Sequence, residues 1–312
     1  MTFRSDSLAS LDDLALLHIT GDDAITFLQS QLTNTVDELR ADEAVLAGFC
    51  QAKGRLQATL IVWPDPQDIT ARYMLVHASI AETLRKRLSL FLLRAKAKII
   101  LCDARVYGLT PAPTTPFTLP QARFPVQLHN GYTLIGAPNA ATEQPARAWL
   151  VDYSAASSLS ATASPAAWPA ADLYAGLAWV DESNYESFLP QDINLDIVGG
   201  VSFKKGCFPG QEVVARLHYR TTARRRAALV WTSQPKALAL TSGQDVFTTA
   251  APDRPLGRIV NHAYDAAQAR HVALIEVLIE NIDEQALYVV VDDEPIALEL
   301  GTLPYRWEIA KY

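Results

Sequence analysis

Lys204-Lys205-Gly206-Cys207-Phe208-Pro209-Gly210-Gln211-Glu212 is the stretch from which the chain is best read. One thiol stands between two glycines, behind two lysines, and just before the apolar run Val213-Val214-Ala215-Arg216-Leu217. Gly206 and Gly210 release the backbone for a sharp turn around the sulfur. Pro209 fixes one further dihedral at what reads as a helix entry. A helix beginning near Gly210 aims its unpaired N–H groups and positive dipole end back toward Cys207. Neighbouring lysines and a helix N-terminus both favour thiolate over thiol. Two readings stand on this local chemistry: a reactive cysteine, or a small residue packed in a strand-to-helix turn.

Upstream, Phe188-Leu189-Pro190-Gln191, Asn194-Leu195 and Gly199-Gly200-Val201-Ser202-Phe203 lead into the cysteine segment. Lys205 to Glu212 match a K-G-C-aromatic-x-G-Q-E signature with Phe208 as the aromatic. This run closely resembles the YgfZ type of folate-binding protein, a relative of the aminomethyltransferase (T-protein) of the glycine cleavage system. Leu11-Asp12-Asp13-Leu14-Ala15-Leu16, Ile19-Thr20-Gly21 and Ala52-Lys53-Gly54-Arg55 agree with it, in order and at similar spacing. The resemblance implies an α+β fold. Its aminomethyltransferase-like folate-binding portion is expected as two α/β subdomains, at 1–110 and 111–220. A C-terminal antiparallel β-barrel is expected at 221–312.

The bulk properties bound the answer independently. A chain of 312 residues exceeds what a single core usually supports and suggests two or three domains. With 49% apolar and 20% charged residues it has the composition of a soluble globular protein. The N-terminus lacks the apolar core of a secretory signal, and patches such as Leu90-Phe91-Leu92-Leu93 are far too short to span a membrane. A cytoplasmic location and no membrane association are the expectations. Cys50, Cys102 and Cys207 are few and widely separated, which argues against a disulfide framework and against a pre-spaced metal site. The net charge of −7 disfavours a general nucleic-acid binder. Yet Lys204, Lys205, Arg216, Arg220, Arg224, Arg225 and Arg226 crowd into one interval. They read either as a solvated face or as a local site for a polycarboxylate or phosphate backbone.

Periodicity places the elements. Leu14 to Ile19 reads as a strand, followed by a helix opened by Gly21-Asp22-Asp23 with either aspartate as cap. Ala44 to Cys50 and Gln57 to Trp63 read as strands paired through Lys53-Gly54-Arg55, and Tyr73 to His77 as a further strand. Ser79 to Phe91 reads as a helix with Leu84, Leu88 and Phe91 on one face, and Ile99 to Leu109 as a strand. Pro111, Pro113, Pro116 and Pro120 mark a boundary or loop, and the Ala/Ser-rich stretch 154–167 a second one. Beyond residue 220, short strands at Ala227–Thr232, Leu256–Asn261, His271–Leu278, Tyr288–Val291 and Ile296–Leu300 suggest a small antiparallel barrel.

A folate ligand requires an apolar or aromatic slot for its pterin and cations for its glutamate tail. Through the cysteine block, Trp168 aligns with a tryptophan that contacts folate in the YgfZ type, and an indole suits a flat pterin; the other reading is a helix residue packed in an interdomain seam. At Leu14 the family carries a second such tryptophan. Leucine there keeps the surface apolar but removes a stacking face, a loss on the order of 1 kcal/mol. Lys53, Lys205 and Arg216 are the candidate tail contacts, and Cys207 the candidate reactive thiolate. No metal ligand set is expected. In the aminomethyltransferase relatives two acidic residues stand where Ala58 and Thr59 stand here, so no carboxylate is available at that point for aminomethyl transfer. Glu212 reads as complementing the helix dipole. His218 lies too far along the helix to form a dyad with Cys207.

The resemblance therefore implies a tetrahydrofolate-binding protein that assists iron–sulfur cluster assembly or repair, with an indirect effect on tRNA modification. Its partners would be folate and iron–sulfur enzymes or assembly proteins. Alternative readings are a folate-dependent one-carbon transferase and, ranked last, a factor that touches tRNA directly through Arg216 to Arg226.

Overall fold

A computed structural model describes residues 7–111, 123–140, 144–154, 159–219, 223–280, 282 and 286–306. The first strands are β1 (Leu8–Ser10) and β2 (Leu14–Thr20), then helix α1 (Ala24–Gln31), β3 (Glu43–Cys50), β4 (Leu56–Pro64) and β5 (Arg72–His77). Helix α2 (Ala78–Leu92) leads to β6 (Lys98–Leu101) and β7 (Arg105–Leu109), then β8 (Arg123–His129), β9 (Tyr132–Ala137) and β10 (Arg147–Asp152). Helices α3 (Ala167–Tyr174) and α4 (Gln211–Tyr219) bracket a long irregular connection. Strands β11 (Arg225–Thr232), β12 (Asp245–Thr248), β13 (Gly257–Asp265), β14 (Arg270–Leu278), β15 (Leu287–Val291) and β16 (Glu294–Leu300) complete the chain.

Two assemblies result. The first ten strands form one sheet in the order β1-β7-β10-β9-β8-β3-β4-β5-β2-β6, and the last six close into an antiparallel barrel, β11-β14-β13-β12-β15-β16. The α+β class and the C-terminal barrel agree with the sequence reading. The segments 1–110 and 111–220 are joined edge to edge. β3 pairs with β8 through Glu43↔Pro125, Ala44↔Phe124 and Val45↔Arg123. β7, from the first segment, pairs with β10 from the second and carries β1 on its other edge. The chain thus leaves one half of the sheet and returns to it.

Local chemistry explains most elements. β3 and β4 are almost continuously apolar because both of their faces are covered. α2 is amphipathic, burying Ile80, Ala81, Leu84 and Leu88. Phe91, expected on that face, is instead exposed and lies under the Arg87 guanidinium, 5.6 Å from its carbon to the ring centroid. Asp23 occupies the cap position of α1 without capping it. Its carboxylate accepts the Lys96 N–H at 2.7 Å and ties α1 to the approach of β6. The single strand expected over 99–109 is two strands. β6 pairs with β2, whereas β7 pairs with β1 and β10. Pro113, Pro116, Pro120 and Arg220 lie outside the described residues.

The main core holds sheet residues such as Phe49, Trp63 and Leu75 together with barrel residues Leu229, Val260, Val272 and Leu274. A second core fills the barrel interior around Val230, Ile259, Ile275 and Val289. The barrel therefore shares part of its packing with the sheet.

Candidate functional site

The cysteine segment forms an exposed loop ahead of α4. Gly210 has φ of 79°, a backbone state that side chains disfavour. A Cβ there would stand 2.5 Å from Gly54 Cα and 2.7 Å from the Gln51 carbonyl oxygen. Gly54, itself at φ 81°, would bring a Cβ to 3.1 Å from Val213. The Lys53-Gly54-Arg55 turn and the cysteine loop therefore meet backbone to backbone. Gly206 behaves differently from expectation: it has no positive φ, and a Cβ there would meet nothing within 4 Å. The sharp turn depends on Gly210.

Cys207 is exposed, Cys102 is half-buried and Cys50 is buried. Burial pushes the Cys102 thiol up to about 11 and the Cys50 thiol higher still. Accessibility thus singles out Cys207 among the three. Lys205, by contrast, turns inward. Its ammonium donates to the Gln29 and Leu32 carbonyl oxygens at the C-terminal end of α1, where a cation complements the dipole. It also lies over the Phe208 ring at 5.5 Å. Burial lowers its pKa to about 8, with Asp37 opposing the shift. His218 stacks on Phe203, with ring centroids 3.7 Å apart and planes 10° from parallel.

The residues leading into the loop act as joints. The Thr33 hydroxyl donates to the Gly200 carbonyl at 2.6 Å and accepts the Gly48 N–H at 2.7 Å. The Asn34 amide donates to the carbonyls of Leu46 and Gly199. The Gln191 amide donates to the Val214 carbonyl in α4. Asn194, at φ 60°, donates to the Ala227 carbonyl and accepts the Ala227 N–H in β11. The upstream segment thereby bolts the cysteine loop to both the sheet and the barrel.

Trp168 sits on α3 and is 6% exposed. The Arg147 guanidinium covers its ring at 4.7 Å, and its indole occupies the space left by the absent side chain of Gly108. A Cβ on Gly108 would fall 1.9 Å from the indole. Arg147 is ion-paired to Asp172 at 3.0 Å, and the second Asp172 oxygen accepts the Trp179 indole N–H. Arg147 Nη1 and Trp149 Nε1 are buried without a hydrogen-bond partner. Leu14 opens β2 opposite His77 and packs, partly buried, against the same core. Ala58 and Thr59 are buried in β4, and the Thr59 hydroxyl accepts the Val180 N–H at 2.9 Å.

The candidate residues therefore fall into two groups. Lys53, Lys205, Cys207 and Arg216 belong to the loop, its supporting turn and the following helix; Trp168, on α3, and Leu14, on β2, belong to the main core. The arginine run disperses along β11. Arg226 pairs with Asp196 at 2.6 Å, Arg225 with Glu276 at 2.8 Å, and Arg224 is exposed. Asp192, Arg258, Glu276 and Arg147 were not singled out by the sequence, because single charges in separate segments carry no periodic signal. Among the described residues, no group of three His, Cys, Asp or Glu is placed to hold a metal ion, and no helix is long and apolar enough to cross a membrane.

The ten-stranded sheet and the closed six-stranded barrel give an aminomethyltransferase-like fold. The glycine cleavage system aminomethyltransferase T from Bartonella henselae is similar in structure, with a TM-score of 0.70 over 95% of this chain and 85% of that one, at 13% identity. No protein-family model matches the chain. Its sequence is 33% identical over 241 residues to the tRNA-modifying protein YgfZ of Edwardsiella ictaluri (strain 93-146), covering 72% of this chain and 70% of that protein. The protein of the same name from Pectobacterium atrosepticum is 29% identical over 314 residues, covering 96% and 92%. That of Yersinia pseudotuberculosis is 31% identical over 260 residues. The chain belongs to the YgfZ family.

Proposed function

We propose that this chain binds tetrahydrofolate and uses the exposed Cys207 to assist iron–sulfur cluster assembly or repair, affecting tRNA modification through the cluster-dependent enzymes. The observation that carries this reading is the loop itself: of the three thiols, Cys207 alone is exposed, on a loop fixed by Gly210 against Gly54 and by Lys205 against the C-terminal end of α1.

The neighbourhood of Trp168 fits a pterin in kind. It offers an indole and two buried donors, Arg147 Nη1 and Trp149 Nε1, that lack acceptors. A pterin carries acceptors along its edge that such donors suit. Because Arg147 covers the indole, contact would be made at the edge of Trp168, with Leu14 as an apolar flank. Lys53 and Arg216, on the exposed side, would face the glutamate tail, while Lys205 holds the loop in place. When bound, the folate supplies one-carbon chemistry; the protein's own residues orient it and present the thiol. The buried Ala58 and Thr59 supply no carboxylate for an attacking amine, which weighs against aminomethyl transfer. The pairing of Arg225 with Glu276 and of Arg226 with Asp196 weighs against direct tRNA contact through those two arginines.

Calorimetric titration of tetrahydrofolate into the wild type and into Trp168→Phe tests the ligand and its site. Micromolar binding that weakens at least fivefold in the variant is expected; absence of binding in the wild type would remove folate from the reading. Cys207→Ser, tested for iron–sulfur enzyme activity in cells lacking the native copy, is expected to fail to complement. Full complementation would remove the thiol.

A further inference from the structure

A cleft of about 210 Å³ opens where the turn after β3, the segment before α4 and the barrel meet. Arg55, Arg225 and Arg258 line it, with Asp192, Glu276 and Ser187. We propose that this cleft binds a multiply charged oxyanion, of phosphate or carboxylate type, between the three guanidinium groups.

Charge and geometry support the assignment. Arg225 Nη1 donates to both Glu276 oxygens, at 2.8 and 3.0 Å, and to the Leu256 carbonyl, so that pair is matched. Asp192 accepts the Leu189 N–H at 2.8 Å and has no ion pair among the described residues. Arg55 donates to the neutral Ser187 carbonyl and has no ion pair among the described residues. Arg258 approaches Asp245 only to 3.5 Å, with its side chain 56% exposed. Asp192 and Glu276 face Arg55, and Glu276 also faces Arg258, so the lining carries three guanidinium groups against two carboxylates and keeps an excess of positive charge. Planar guanidinium forks suit oxyanions, and three of them from distant segments give a directional site. An adjoining cleft of about 760 Å³ shares Arg55, Asp192 and Arg225 and adds Arg224. A ligand longer than the smaller cleft can continue there. Asp192, pushed up to about 6 chiefly by burial, weakens its opposition to an anion as pH falls.

The carboxylate form of this proposal rests on the folate reading above and places the distal glutamates of the tail in the cleft, beyond Lys53 and Arg216; the phosphate form does not rest on it. The test is calorimetric titration of the full chain, at low salt, with inorganic pyrophosphate and with γ-linked triglutamate. At least one probe is expected to bind, at least fivefold more weakly in Arg258→Gln and in Arg55→Gln. Glu276→Gln, which keeps the side-chain shape and removes a competing charge, is expected to tighten binding severalfold. Misfolding cannot imitate that gain, and melting curves check each variant. Pyrophosphate alone binding identifies a phosphate site, and triglutamate alone a carboxylate site. Neither probe binding, indifference to Arg258→Gln, or weakening in Glu276→Gln would overturn the proposal. If tetrahydrofolate fails to bind while pyrophosphate binding remains arginine-dependent, the folate reading falls and the cleft stands. If tetrahydrofolate binds and neither probe does, the reverse holds.

Discussion

The two glycines flanking Cys207 have opposite structural standing. Gly210→Ala would place a methyl against the Gly54 backbone at a positive φ, and is expected to cost about 2–4 kcal/mol in urea denaturation. Gly206→Ala meets open space and is expected to lie within about 0.5 kcal/mol of wild type. Equal effects at the two positions would contradict the loop geometry. Lys205 adds a pH signature. Its folded pKa, about 8, lies below its ordinary value of 10.5. The folded chain therefore binds fewer protons than the unfolded chain between those values, and stability from this group grows as pH rises from 8 to 10.5. Relative to Lys205→Met, the wild type should gain about 1–2 kcal/mol across that window, a range discounted for partial exposure. A flat difference in paired denaturation curves would remove the buried ammonium. The lysine was visible in the sequence, but its inward direction was not. A signature fixes residue types, whereas the carbonyls that Lys205 meets belong to a helix far earlier in the chain.

At the scale of elements, α3 depends on β7 through one missing side chain. Gly108→Ala would collide with the Trp168 indole, and is expected to destabilise the protein by about 2–4 kcal/mol and to quench or shift tryptophan fluorescence. Near-wild-type stability and emission would show that the indole has room to move. Strands with continuous apolar runs, such as β3 and β4, were legible from sequence, as were five of the barrel strands. β1, β8 to β10 and β12 were not. β8 carries Pro125 in its middle, which ordinarily marks an edge or a break. Here it pairs with Glu43 in the short join between the two halves of the sheet. The split of 99–109 was hidden for a related reason. β6 and β7 are both apolar in sequence, although Ile100 and Leu101 of β6 are exposed, and that pattern does not report which strand each pairs with.

Across the whole molecule, sheet and barrel are stitched by side-chain amides as well as by shared packing. Asn261 in β13 accepts the Trp179 N–H at 2.9 Å and donates to the Trp179 carbonyl at 2.9 Å, imitating a strand partner. Asn261→Ala is expected to cost about 1–3 kcal/mol by stranding those groups. Because Leu229, Val260 and Leu274 pack into the main core, scanning calorimetry should still give a single transition. Two separated transitions would show that the barrel melts alone. The convergence of Arg55, Arg225 and Arg258 belongs to this scale, and no local pattern announced it, since each arginine is contributed by a different segment. The support of the cysteine loop has a temporal consequence too. Gln29, Leu32, Gln51 and Gly54 all precede Cys207 in the chain, so the sheet-side supports of the loop have been made before the thiol leaves the ribosome, while its tie to the barrel through Asn194 and Ala227 follows. The arginine cleft must wait until β14 delivers Glu276. The thiol face and the cleft are therefore completed at different moments of synthesis, the thiol face first.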